Sequence, residues 1–197
     1  MAVVLASASQ ARRALLTAAG LDLVVDPAAV DEAALKASLA AEGAGPAESA
    51  EALALLKASR ISPRHPGQLV IGADQILECE GRSFDKPAGR AAARDQLLAL
   101  RGRPHSLFSA AVAMRDGGRL WHHVGRADLT MRDFSEAFLD SYLDRAGPAA
   151  TASVGAYQLE GLGAQLFERI EGDYFTILGL PLLPLLEFLR SQGEIGR

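Results

Sequence analysis

The chain holds a single cysteine, Cys79, among 197 residues. No intramolecular disulfide can form and no cysteine-rich metal site is available, so a reducing cytoplasm is the expected compartment. Lysine is almost as scarce, since the 20 basic residues are Lys36, Lys57, Lys86 and otherwise arginine. The four histidines have no zinc spacing: His122 and His123 are adjacent, and His65 and His105 stand in turn-like and strand-like contexts. Structural roles are expected for all four. No stretch approaches the roughly twenty apolar residues of a membrane helix, and the apolar segment 177–189 is broken by Gly179, Pro181 and Pro184. The N-terminus has no basic region ahead of a long apolar core, so no secretory leader is read. A net charge of −4 excludes a protein that coats nucleic acid polymers, because that binding needs a basic surface. A Walker loop, a dinucleotide fingerprint and a Gly-x-Ser-x-Gly elbow are also absent.

What remains is an ordinary globular composition, 49% hydrophobic and 22% charged, and residues 1–197 read as one domain. The first fifteen residues carry the most chemistry. The apolar run from Ala2 to Ala6 leads into Ser7, Ser9, Arg12 and Arg13 and then into helix-forming Ala14-Leu15-Leu16. A strand, a hydroxyl-rich turn and arginines at a helix start build an anion site. The first backbone N–H groups of a helix lack intrahelical partners and carry positive partial charge, and guanidinium grips phosphate through a planar fork. The plainer reading is that Ser9 is an N-cap and the arginines decorate a solvated face.

Further along, helices are expected over 12–19, 47–61, 88–100, 135–145 and 182–191. Strands are expected over 69–72, 76–79 and 174–178, with a short β-prone stretch at 23–25. Asp116-Gly117-Gly118 predicts a long antiparallel hairpin joining 104–114 to 120–132. Residues 81–86 read as a loop, and 40–46 as a mobile connection. Helices alternating with strands around one antiparallel hairpin favour an α/β domain with a mixed central sheet and flanking helices.

Asp74 is the leading catalytic candidate, placed where the apolar strand Leu69-Val70-Ile71-Gly72 stops. A carboxylate there can hold a divalent cation or activate water. Asp31 and Glu32 offer a second acidic site or simply the first turn of a helix. Lys57 falls near the apolar side of its helix, and Lys86 precedes a proline in a loop. Each lysine alone reads more simply as a snorkelling surface residue.

LASASQARRALL, VIGADQIL, DKP and GAYQLEGLGAQLFERIEGDYFTILGLPL occur together in this order. On these segments the chain resembles the Maf family of nucleoside triphosphate pyrophosphatases over nearly its whole length. The resemblance implies a mixed α/β fold like that of inosine triphosphate pyrophosphatases, with two lobes around a cleft and often a homodimer. It implies cleavage between the α and β phosphates with Mg²⁺ or Mn²⁺, and a house-cleaning role toward modified nucleotides; some members are linked to septum formation. Carried residue by residue, it makes Asp74 the general base, with Glu32 sharing the metal. Ser7, Ser9, Arg12, Lys57 and Lys86 fall at polar positions around the triphosphate.

Two departures bear on the substrate. Gln10 and Ala11 replace the usual proline and arginine after Ser9, which leaves Arg13 as an extra cation beside Arg12. Gln75 and Glu160 stand where the branch resembling dTTP and UTP hydrolases has threonine and glutamine, and together with the shifted Arg13 they resemble instead the branch that prefers 7-methyl-GTP. A carboxylate suits a guanine edge made cationic by methylation, and a site built for one edge penalises others. The alternatives are a dTTP/UTP pyrophosphatase of the same family and a nucleotide-binding regulator of septum formation. The small-molecule nucleotide is the expected partner, with no nucleic acid polymer and no membrane.

Overall fold

The computed structural model describes residues 2–196. Strand β1 (Val3–Leu5) is followed by helix α1 (Gln10–Ala18), β2 (Leu23–Val25), α2 (Glu32–Ala41) and α3 (Pro46–Ile61). Then come β3 (Val70–Cys79), β4 (Arg82–Phe84), α4 (Arg90–Leu100) and the pair β5 (Pro104–Arg115) and β6 (Gly118–Met131). The chain ends with α5 (Glu136–Ala146), β7 (Phe167–Gly172), α6 (Tyr174–Ile177) and α7 (Leu182–Ser191). The strands form one mixed sheet in the order β2-β1-β3-β5-β6-β7, with β4 added on β3. The expected α/β class with a mixed sheet is what the chain adopts.

The contacts divide the chain into two compact units. One takes the chain through Gln75, Phe108–Gly125 and the segment from Tyr174 on; the other takes Ile76–Leu107 and Arg126–Asp173. In the first unit β1 runs parallel to both β2 and β3, with Val4 opposite Val70 and Leu5 opposite Ile71. The residues Val3, Leu5, Ile71, Ala73, Ala111 and Ala113 cover one face, where Leu16 of α1 and Leu182, Leu185, Phe188 and Leu189 of α7 join them in one core.

Helix α3 has its own buried stripe, Ala50, Leu53, Ala54, Lys57, Ala58 and Ile61. This i, i+3, i+4 spacing is that of a helix face packed on a sheet. Packing is closest at Gly72, where a Cβ would lie 2.1 Å from the Ala54 carbonyl oxygen and 2.7 Å from the Ala58 nitrogen. Only a residue without a side chain lets α3 settle this near to β3.

Three expectations are corrected. Strand β3 runs unbroken from Val70 to Cys79, so Asp74 and Gln75 lie within a strand and not at its end. Two polar residues do not break it because each is given partners, described below. Segment 174–177 is a helical turn and not a strand; its β-prone composition yields to packing, with Thr176 and Ile177 buried. Residues 82–84, read as loop, pair antiparallel with Leu77, Glu78 and Cys79 as β4. The hairpin, the Ser9 and Ser135 N-caps and helix 182–191 match the reading.

In the second unit, His105 is buried, its Nε2 2.9 Å from the Tyr157 hydroxyl and its ring tilted against Phe167. Burial in this aromatic setting lowers the His105 pKa to about 4, whereas the unfolded chain protonates near 6.5. Between these values the unfolded state binds the extra proton. Stability therefore falls as pH drops from 6.5 towards 4 and is fully retained above 6.5. Urea denaturation followed at pH 7.5 and 4.5 is expected to show this loss, with a smaller change in His105→Phe. An equal pH dependence in the variant would assign the acid lability to other groups.

Candidate active site

The residues singled out in the first unit converge around the end of β1 and the middle of β3. Past Leu5 the chain leaves the sheet. Ser9 caps α1 by accepting from the Arg12 backbone N–H at 3.4 Å, and α1 carries Arg12 back over β3. The Ala73 carbonyl, beyond the reach of β1, accepts instead from Arg12 Nη1 at 2.9 Å. The same Nη1 donates to Ser7 Oγ at 3.0 Å, and Nε donates to the Gly179 carbonyl at 2.8 Å. Arg12 is therefore buried and held by three acceptors. Burial lowers its pKa, while the charges of Asp74 and Glu32 act in the opposite direction. None of the described residues accepts from Nη2, so one edge of the guanidinium fork keeps its donors.

The alternation of a strand sends Asp74 and Gln75 to opposite faces of β3. Asp74 shares the α3 face with Gly72. There Lys57, set in the buried stripe of α3, places Nζ 2.5 Å from Asp74 Oδ1 and 2.8 Å from Glu32 Oε1. Both Lys57 and Asp74 are buried, while the Glu32 side chain is 43% exposed. An ammonium taken out of water costs several kcal/mol unless it is paired. Two carboxylates offset that cost, which explains a lysine in an otherwise apolar stripe. The snorkelling reading of Lys57 is thus corrected. Asp31 is the N-cap of α2, accepting from the Ala34 N–H at 2.9 Å, and this cap sets Glu32 on the first turn. None of the described residues donates to Asp74 Oδ2, which leaves a carboxylate oxygen for a ligand or water.

On the other face, Gln75 Nε2 lies 2.9 Å from Ser109 Oγ, 3.1 Å from the Thr176 carbonyl and 3.0 Å from that of Ile177. Ser109 donates to the Thr176 carbonyl at 2.7 Å. The last carbonyls of a helix have no intrahelical donor; here those of Thr176 and Ile177 hold side chains, and that of Thr176 also accepts from the Gly179 backbone N–H at 3.1 Å. Gly179, at φ +102°, follows this turn; its bare Cα leaves space beside Arg12 and Gln75. Sequence reading missed Ser109 and the backbone carbonyls of 176, 177 and 179. A lone serine in a strand gives no signal, and main-chain acceptors give none at all.

Arg13 lies exposed on α1. Lys86, in the segment after β4, and Glu160, in a turn before Leu162, are exposed residues of the second unit. The structure thus brings together Ser7, Ser9, Arg12, Glu32, Lys57, Asp74 and Gln75 within one unit. Among the described residues no group of three or more His, Cys, Asp or Glu side chains is arranged to hold a metal ion. No helix is long and apolar enough to cross a membrane.

A buried cation between two carboxylates, beside a serine turn and a clamped arginine, suits a polyphosphate, and comparison with known proteins points the same way. A protein of Paramagnetospirillum magneticum named nucleoside triphosphate pyrophosphatase is 64% identical over 191 residues, covering 97% of this chain and 98% of its own. One of the same name from Rhodospirillum rubrum is 56% identical, covering 98% and 96%. A protein of Mesorhizobium japonicum named 7-methyl-GTP pyrophosphatase is 54% identical, covering 98% and 97%. Residues 2–192 match the family described as Maf-like protein, and the chain belongs to that family.

Proposed function

We propose that the protein is a nucleoside triphosphate pyrophosphatase that hydrolyses the α–β phosphate bond, acts on free nucleotide in the cytoplasm and prefers 7-methyl-GTP. The observation that carries the reading is the Glu32–Lys57–Asp74 arrangement, a buried ammonium paired with two carboxylates. Asp74, through its unpaired oxygen, takes a proton from water. The water oxygen forms its bond to the α phosphorus as the bond to the α–β bridging oxygen breaks, and pyrophosphate leaves with that electron pair. Arg12 and Lys57 offset the charge that gathers on the departing oxygens. Ser7 and Ser9 orient phosphate by hydrogen bonds and are not themselves modified.

Two hard carboxylate donors suit Mg²⁺ or Mn²⁺. With only Glu32 and Asp74 to offer, the protein fits an ion that takes the rest of its shell from water and substrate phosphate, which is how Mg²⁺ is commonly bound. Such an ion, when bound, neutralises charge on the phosphate oxygens.

The preference for 7-methyl-GTP rests on Gln75 and Glu160 and on two relatives bearing that name, at 54% and 53% identity. Pyrophosphate release across a panel of canonical and modified triphosphates, with Mg²⁺ and with Mn²⁺, tests it. Release that is fastest with 7-methyl-GTP is expected. Preference for dTTP or UTP would keep the chemistry and remove the base assignment. No release with any nucleotide would turn the reading towards a nucleotide-binding regulator.

A further inference from the structure

The Gln75 amide is committed to one orientation. Its nitrogen faces three oxygens: the Thr176 and Ile177 carbonyls, which can only accept, and Ser109 Oγ. Ser109 is wholly buried, and its single proton goes to the Thr176 carbonyl at 2.7 Å. Its lone pairs are what remain for Gln75. A flipped amide would set Oε1 against three acceptors, each at about hydrogen-bond distance with no proton between. Nε2 therefore points inward and Oε1 outward.

The outward oxygen is the free end. None of the described residues donates to it, and Gln75 is partly exposed. It borders the space left by the missing side chain of Gly179, where a Cβ would lie 3.7 Å from Gln75 Oε1, 3.5 Å from Arg12 Nε and 3.7 Å from Arg12 Nη2. Gly179 itself is tied to Arg12 through its carbonyl. The amide oxygen is thus an acceptor standing beside the arginine clamp.

We propose that Ser109 is a positioning residue for substrate choice: it holds Gln75 so that the site shows the nucleobase an acceptor and favours bases carrying a ring N–H. This rests on the reading of Gln75 as a base contact. Guanine and hypoxanthine offer N1–H on the pairing edge, and uracil and thymine offer N3–H, whereas adenine and cytosine present a bare ring nitrogen there. Against a fixed acceptor that nitrogen leaves two lone pairs facing each other, which is the kind of mismatch that polar sites reject most strongly. Methylation at N7 makes the guanine ring cationic and its N1–H a stronger donor. One fixed oxygen therefore accounts for both the class of base and the gain on methylation.

The test is steady-state pyrophosphate release from 7-methyl-GTP, GTP, ITP, ATP and CTP by the full-length protein, by Ser109→Ala and by Gln75→Ala, with the thermal midpoint of each recorded. For the unaltered protein, kcat/KM for the N–H bases should exceed that for ATP and CTP by at least about tenfold. Ser109→Ala should shrink the ratio by about three- to tenfold, the worth of one neutral hydrogen bond, through KM for the N–H bases with kcat nearly unchanged. A folded Ser109→Ala with the original ratio, or with a loss equal for every base, overturns the positioning role. If Gln75→Ala also keeps the ratio, the base contact itself is wrong. If Gln75→Ala alone collapses it, only the role of Ser109 falls.

Discussion

Asp74→Asn is expected to lower kcat for pyrophosphate release by about 10²–10⁴-fold, the usual worth of a positioned general base. The substitution keeps the shape of the side chain and an oxygen facing Lys57, and Lys57 keeps Glu32 at 2.8 Å. The fold should therefore survive. Removing one partner of a buried ion pair costs about 3–5 kcal/mol when the other is left bare, and here it is not left bare. Nucleotide binding should persist, because Arg12 and the Ser7–Ser9 turn are untouched, and added triphosphate should still raise the thermal midpoint. A kcat within tenfold of the original would remove Asp74 from the role of base. Loss of both turnover and nucleotide-dependent stabilisation would make it a binding group instead.

Gly72→Ala should be among the most damaging of the small substitutions. The added methyl would fall 2.1 Å from the Ala54 carbonyl oxygen and 2.7 Å from the Ala58 nitrogen. Both are backbone atoms of α3, so no side-chain rotation relieves the clash and the helix itself must move. Overpacking of this kind costs about 1–3 kcal/mol or more, and in a chain of this size each kcal/mol lowers the thermal midpoint by about 2–4 °C. A fall of about 5–10 °C is expected in a thermal melt. The activity effect should exceed what the remaining folded fraction explains. Lys57 rides on the helix that is displaced, and a shift near 1 Å in a catalytic constellation can cost about 10²-fold in rate. A midpoint within 2 °C of the original would mean that α3 yields at little cost.

Much of the arrangement was legible in the residues. The hydroxyl turn before Arg12, the isolated lysine in an alanine-rich helix and the carboxylate after a run of buried apolar residues are departures from local pattern, and all three meet in one place. What escaped was chiefly what depends on partners distant in sequence. The apolar run that stops at Gly72 places Asp74 at the end of a strand. The strand continues because Lys57, seventeen residues away, neutralises Asp74. The aromatic and β-branched residues of 174–178 predict a strand. The segment turns as a short helix whose terminal carbonyls are occupied by Gln75 and Ser109, 101 and 67 residues away from Thr176. Arg12 has a second task that its local sequence does not show: three of its donors hold its own chain in place, and only the position of Gly179 and Ala73 reveals that.

The lysine in the buried stripe of α3 ties assembly to competence. A helix carrying an ammonium on its inward face cannot dock on bare sheet without stranding a charge, so α3 gains its place only where a carboxylate is there to receive it. Docking of the helix and completion of this charge cluster are then one event. A chain in which these charges have not met has also not seated one of its principal helices.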